Sequence, residues 1–414
     1  LKRCLAQADS LARAFPVNEP HSTVGQLAQM QPCISWFMIS VLGVFLSRQC
    51  AAFLLPPDAI DGDMMLAGAC MADSDVEGNP TARMYFPRSA PRRKAAFAHS
   101  TPCSSEEDHI RGNWVARTTR TDQMTFTVDP DKSWTPTCDS LQADWQAGGR
   151  VPPYDLYDWE PEKCALAAFD RQALCSRLDG KQIGVAGDST SQHFAHTLMG
   201  LMCGHVYHHD TVLDASSACP AVGAVDGSRA LELCSGTVFS LRLVWFRANR
   251  YERSGPQLDK LRTLIRQSDV LVLNWGAWPV SDGEMRTNMG HLAQLLQSDW
   301  RPKGADQIFW RSTIVAAGNC SHDMRPVRQN SLPLNQLMGT KYNQSTILDQ
   351  ERSIVWPAMR GIGARILRVF ELSILRPDAH RNHRGGHCLD CLHFCEPGPV
   401  NAWLTVFFNQ VVYR

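Results

Sequence analysis

The chain has 414 residues, with 41 Lys plus Arg balanced by 41 Asp plus Glu and a formal net charge of zero. Apolar residues make up 44% of it, enough for a sizeable core and too many for an intrinsically disordered chain. No long basic stripe stands out, which excludes the usual electrostatic footprint of a nucleic-acid partner.

The chain opens at Leu1 rather than Met, so its natural start is expected upstream. In residues 1–33, Lys2, Arg3 and Arg13 precede an almost wholly apolar stretch at 34–55 that only Arg48 interrupts. Read as one segment, that stretch is long enough to span a bilayer; read as two, its first half has the length of a signal-peptide core. The basic flank places the following residues in the lumen. The plainer alternative is a buried helix of a soluble domain. Residues 56–110 read as a flexible stem, punctuated by Pro56, Pro57, Pro80, Pro87 and Pro91. Its basic cluster, Arg92, Arg93 and Lys94, reads as solvated.

A folded domain is expected over 111–414, beginning with a Trp- and Cys-rich subdomain at 111–180 that contains Trp134, Trp145 and Trp159. These aromatics show no helical or strand period, so they read as packing residues, though an exposed indole could stack on a sugar face. Of 15 cysteines, twelve lie from Cys70 to Cys395, an even set that fits disulfides in an oxidising compartment. Asn-X-Ser sequons at Asn319 and Asn343 are compatible with glycosylation.

The stretch Lys181–Cys203 organises the domain. Ile183 to Ala186 reads as a buried strand, Gly187-Asp188-Ser189 as a sharp turn, and the apolar spacing of Phe194, Leu198, Leu201 and Met202 as a helix starting near Thr190. A serine there stands at the carboxyl edge of a sheet, beside free N–H groups and the positive end of a helix dipole. An oxyanion formed at that point meets ready donors. Taken alone, the tripeptide also reads as a turn followed by a helix cap.

Further on, strands are expected at 237–246, 269–276, 307–313 and 364–372, and helices at 257–267, 287–300 and 400–412. The alternation predicts βαβ units and a three-layer α/β domain with a mainly parallel sheet.

A serine nucleophile needs a base, and the base needs an orienting group. Near the far end the chain reads HCLDCLHFCEPG, with Asp390 and His393 three residues apart. A helical turn would put both on one side, able to reach Ser189 together. The same string also mimics a zinc site, with Cys388, Cys391, His393 and Cys395 as ligands. Asp378 and His380 form a second acid and imidazole close in sequence. His193 and His196, on the helix after Ser189, are expected to point away from it. His205, His208 and His209 fit a solvated loop better than a metal site.

These pieces together resemble the plant trichome-birefringence-like proteins and the wider PC-esterase group of SGNH/GDSL-like hydrolases. GNWV at 112–115 comes first, then Gly149, Arg150, Tyr157, Trp159, Pro161, Cys164, Leu166 and Phe169, then Gly187-Asp188-Ser189. DVLVLNWGAW, FWRST, RPDAH and DCLHFCEPGPVNAW follow in the family's order. The series runs from about residue 111 to 412. Trp275, Ala277, Phe394 and Glu396 depart from the family pattern.

The resemblance implies an SGNH-like α/β/α fold with Ser189 as nucleophile, His393 as base and Asp390 as orienter. Gly187 and Asp188 shape the nucleophile turn, and Asn274 joins the Ser189 N–H in an oxyanion hole. It also implies disulfides at Cys391 and Cys395, and a single-pass type II protein of the Golgi membrane with a luminal catalytic domain; secretion is the alternative. The expected activity is O-acetyl transfer to a polysaccharide or glycan hydroxyl through an acetyl-serine, with an acetyl donor as co-substrate and no cofactor. The alternatives are a glycan O-acetyl esterase with the same trio, and a non-catalytic glycan-binding or zinc-binding module.

Overall fold

In the computed structural model of this chain, residues 101–116, 127–128, 157–206 and, with short interruptions, 208–413 are described. All belong to the second of two units, Leu1–Met65 and Leu66–Arg414. The apolar stretch at 34–55, the stem up to residue 100, Trp134, Trp145 and Asn343 lie outside the described residues. Among the described residues no helix is long and apolar enough to cross a membrane.

The strands used below are β1 (Gly112–Ala116), β2 (Tyr157–Pro161), β3 (Lys181–Gly187), β4 (Ala221–Val225), β5 (Ser228–Glu232), β6 (Leu241–Arg247), β7 (Val270–Asn274), β8 (Ile308–Arg311), β9 (Arg365–Leu367), β10 (His380–Asn382) and β11 (Leu389–Phe394). In β3 every residue after Lys181 is buried, as a strand covered on both faces requires. It lies at the centre of a seven-stranded sheet ordered β9-β8-β7-β3-β6-β5-β4. The first five pair in parallel, and β5 and β4 extend the sheet as an antiparallel hairpin. The chain builds to one side of β3 with β6 and to the other with β7. That reversal is where open α/β sheets form a crevice at the carboxyl ends of their strands.

Two cores follow from the alternation of β3. Ile183 and Val185 point into one with Phe194, Leu198 and Met202 of α1 (Ser189–Cys203) and with Phe407 of the last helix, Pro399–Val412. Ala186 points into the other with Leu261 and Leu264 of α2 (Pro256–Gln267) and Met289 and Leu292 of α3 (Asp282–Asp299). Gly184 lets α2 approach closely, since a Cβ there would overlap Ser268 Oγ. Each fully buried Leu, Ile or Phe contributes roughly 1.5–3 kcal/mol through lost apolar exposure, which holds the three layers together.

The folded body begins earlier than the boundary expected at Arg111. A capped turn of helix at Glu106–Ile110 and the Cys103–Cys164 disulfide tie residues 103–110 to the domain. The antiparallel pair β1–β2 sets Trp114 directly opposite Trp159, edge to face at 5.6 Å. Both indoles are buried and donate to carbonyls, of Leu372 and His109 respectively. The Arg376 guanidinium lies over Trp114 and Tyr157. Of the Trp residues expected to pack, Trp159 is buried and does so; Trp134 and Trp145 lie outside the described residues. Disulfides Cys175–Cys234, Cys203–Cys219 and Cys320–Cys391 pin further segments.

Several predicted boundaries move. The strand expected from Thr237 begins at Leu241, and the helix expected from Thr287 begins at Asp282, capped by Ser281. The strand expected over 364–372 ends at Leu367, because Ser312 Oγ accepts the N–H groups of Val369 and Phe370 and turns the chain into a short helix.

Candidate active site

Ser189 stands where β3 gives way to α1, two residues past Gly187 at the carboxyl end of the central strand. The cap of that helix is Asp188. Its Oδ1 accepts the Thr190 N–H at 3.0 Å and the Thr190 hydroxyl at 2.6 Å, while Oδ2 accepts the Ala277 N–H at 3.1 Å. With Asp188 doing the capping, the Ser189 hydroxyl is left for other work, and the turn reads as more than a cap. Gly187 is needed for close approach: a Cβ there would collide with the Asn274 carbonyl and the Ser191 hydroxyl. The Ser189 N–H belongs to the first turn of the helix, whose leading N–H groups have no intrahelical acceptor.

Beneath the turn lies a fully buried guanidinium. Arg311 reaches from β8 and donates to Thr190 Oγ1 at 2.6 Å, Ser191 Oγ at 3.2 Å and Asn274 Oδ1 at 2.8 Å, with Asp188 at 3.9 Å. Burial pulls its pKa down to about 10, against the nearby Asp188 and Glu351 carboxylates, so it stays cationic at neutral pH. Glu351, in a π turn at Glu351–Val355, accepts from Trp310 Nε1 at 2.7 Å and the Thr313 N–H at 2.8 Å. Burial pushes its carboxyl up to about 7. A polar chain thus runs from Glu351 through Thr313, Asn274 and Arg311 to the nucleophile turn.

The C-terminal strand brings the other two groups. His393 Nε2 is 2.7 Å from Ser189 Oγ, and its Nδ1 is 2.6 Å from Asp390 Oδ2. A carboxylate can only accept, so Nδ1 carries the proton and Nε2 is left as acceptor for the serine hydroxyl. The local structure differs from the helical turn expected. Asp390 and His393 lie on β11, where an ordinary strand would send residues three apart to opposite faces. A bulge resolves this: His380 pairs with Phe394 and Asn382 with Leu389, so β11 carries three extra residues between those pairs. Asp390 Oδ1 also accepts the N–H groups of Leu392 and His393, curling its carboxylate back over the bulge.

The chemistry of the cysteines separates the zinc reading from the acid–base one. Cys391 is bridged to Cys320, and Cys395 is also in a disulfide. Their sulfurs are not thiolate ligands, and both ring nitrogens of His393 face Ser189 and Asp390. Cys388 lies outside the described residues.

Asn274 requires a correction. Its side chain is fully buried and donates to the Arg311 carbonyl at 2.8 Å and Thr313 Oγ1 at 2.9 Å. Both amide hydrogens are spent below the turn, so Asn274 braces β7 against β8 and has none to give an oxyanion. Asp378 pairs with Arg376 through both oxygens at 2.9 Å, and His380 stacks on Phe394. That second acid and imidazole is structural. His205, His208 and His209 fall on two-residue strands, and among the described residues no group of His, Cys, Asp or Glu is arranged to hold a metal. His193, expected to point away, instead lies against His393. Its position one turn after Ser189 was a usable signal, since residues four apart share a helix face.

Residues 294–410 match PC-Esterase, the GDSL/SGNH-like acyl-esterase family found in Pmr5 and Cas1p. The chain is 24% identical over 366 residues to Protein trichome birefringence-like 39 of Arabidopsis thaliana, covering 77% of this chain and 93% of that protein. It is 22% identical over 289 residues to Protein trichome birefringence-like 38 of the same plant, covering 62% and 72%. Probable xylan O-acetyltransferase 10 of Oryza sativa subsp. japonica is 21% identical over 322 residues, covering 65% of this chain and 71% of that protein.

Proposed function

We propose that this chain, which belongs to the PC-esterase family and is an SGNH-type acyltransferase or esterase, transfers acetyl groups to polysaccharide hydroxyls through an acetyl-Ser189 intermediate. The observation that carries this reading is the unbroken line from Asp390 through His393 to Ser189, at 2.6 and 2.7 Å.

Ser189 Oγ attacks the carbonyl carbon of an acetyl donor while its proton passes to His393 Nε2. Asp390 supports the imidazolium that results. The oxyanion is received by the Ser189 N–H at the positive end of the helix. As the donor's carbon–oxygen bond breaks, His393 returns the proton to the departing oxygen, leaving acetyl-serine. A sugar hydroxyl then gives its proton to His393 and attacks the same carbonyl, and Ser189 recovers its proton on release. With water in place of the sugar, the same steps make an esterase. The xylan O-acetyltransferase name of the rice relative supports transfer, and the disulfides support an oxidising compartment. We place the domain in the Golgi lumen, with residues 34–55 as its anchor.

The test is incubation of the chain with an acetyl-phenol donor, followed by mass spectrometry of the protein and of added xylan oligomers. An acetyl increment on the Ser189 peptide and then on the sugar supports the proposal. Ser189→Ala labelled at the wild-type level would end it, and mass loss from acetylated oligomers without any gain would make the protein an esterase.

A further inference from the structure

A second imidazole–carboxylate pair lies against the first, and the acylation steps make no use of it. His193 and Glu396 are 3% and 1% exposed, and His193 Nδ1 contacts Glu396 Oε1. The His193 ring stacks on the His393 ring, with centroids 5.3 Å apart and planes 29° from parallel. His193 sits one helical turn beyond Ser189, and Glu396 three residues beyond His393. The pair therefore links the nucleophile's helix to the base's strand at the point where serine and imidazole meet.

We infer that His193 is a positioning residue that braces the face of His393, and that Glu396 locks it there. Two edge hydrogen bonds, to Ser189 and Asp390, fix the direction of the His393 ring but leave it free to roll about the line joining them. Once Ser189 is acetylated, the serine bond is gone, and of these two edge bonds the one to Asp390 remains. A flat group packed on its face removes both freedoms and keeps Nε2 aimed at the oxygen that must receive or give a proton. Stability alone does not account for the pair. A buried carboxylate and imidazole pay heavy desolvation, and well-packed apolar residues of similar volume are as stable or more so. This inference rests on His393 being the base, as proposed above.

The experiment is stopped-flow release of phenol from the acetyl-phenol donor by the full chain, in which burst amplitude counts competent sites and burst rate reads the base. H193A/E396L removes both members of the brace together. Its burst rate should fall about 10- to 100-fold, the loss typical of a misaligned catalytic group, with amplitude and the half-saturating donor concentration unchanged. H193F/E396L restores a flat face and should recover at least about ten-fold of the lost rate. Should H193A/E396L give too little folded protein, H193L/E396L fills the same space without a flat face and is read the same way. A burst rate within about twofold of wild type in the Ala or Leu variant overturns the brace. So does a loss confined to amplitude, or a Phe variant no faster than the Ala or Leu one. Ser189→Ala separates the two readings. If it keeps the burst, the acyl-serine proposal and the brace fall together; if it loses the burst, a fast H193A/E396L removes the brace alone.

Discussion

At Asp390 the two carboxylate oxygens have different partners, and that asymmetry gives a sharp prediction. Oδ1 accepts backbone N–H groups of Leu392 and His393, so only Oδ2 faces the imidazole. In Asp390→Asn the amide oxygen must take the Oδ1 position, because an NH2 group there would confront two donors. The amide NH2 is then forced onto His393 Nδ1, which must become the acceptor, and Nε2 gains the proton that should come from Ser189. The shape survives while the base is lost. The acylation rate should fall by roughly 10⁴-fold, the scale of a wrong tautomer in a serine–histidine–aspartate site, with the thermal midpoint nearly unchanged. Burst kinetics and a melting curve on the same sample check both halves. Arg311 is the opposite case, a residue whose loss is structural. Arg311→Met leaves Asp188, Asn274 Oδ1 and the Thr190 hydroxyl without their buried cation, and should cost about 3–5 kcal/mol in urea unfolding.

The element that decides the site is the bulged strand Leu389–Phe394, whose side chains are plainer in the sequence than its backbone. The acid, the imidazole and their approach to Ser189 were legible, because proton transfer demands those residue types together. The backbone that joins them was not: a spacing of three suggests a helical turn, and a bulge leaves no mark in residue period. The hairpin β4–β5 leaves a weak mark for a related reason, since AVGAV dilutes its two valines with Ala and Gly and SRALE has no β-branched or aromatic residue. Buried runs such as Val270–Asn274 were plain, since a strand covered on both faces is apolar throughout. The bracing role of Asn274 leaves no local mark, because its polar partners, Arg311 and Thr313, are nearly forty residues away and meet it only across the sheet. The bulge itself is held by Cys320–Cys391, which closes a separation of 71 residues. C320A/C391A should lose about 2–4 kcal/mol of stability through the larger unfolded ensemble. It should also slow acylation more than it lowers the burst amplitude, since Cys391 lies between Asp390 and His393. Urea titration and burst kinetics, run side by side, would expose an effect on stability alone.

Across the whole molecule, the carboxyl ends of β3, β7 and β8 are joined by buried polar groups instead of apolar packing, and one of those groups makes folding depend on pH. Glu351 titrates near 4.5 when solvated and about 7 in the fold, with burial as the main cause and its hydrogen bonds from Trp310 and Thr313 opposing. Folding therefore takes up a proton between those values. The folded carboxyl holds its proton more tightly, so its contribution is complete below about 4.5 and disappears as pH rises through about 7. At 1.36 kcal/mol per pKa unit the span is on the order of 3 kcal/mol. Glu351→Gln keeps an acceptor for Trp310 and Thr313 but cannot ionise, so its stability should be flatter over the same interval. Urea unfolding of both proteins at pH 5 and pH 8 checks this: the wild type should lose stability on going to pH 8, and the variant should lose markedly less. Equal losses would place the pH dependence elsewhere. A wild type more stable at pH 8 than at pH 5 would mean that Glu351 is an anion throughout, held by Arg311 as a buried ion pair. In that case the nucleophile turn rests on two fixed charges, and Glu351→Gln should destabilise the fold most at the higher pH.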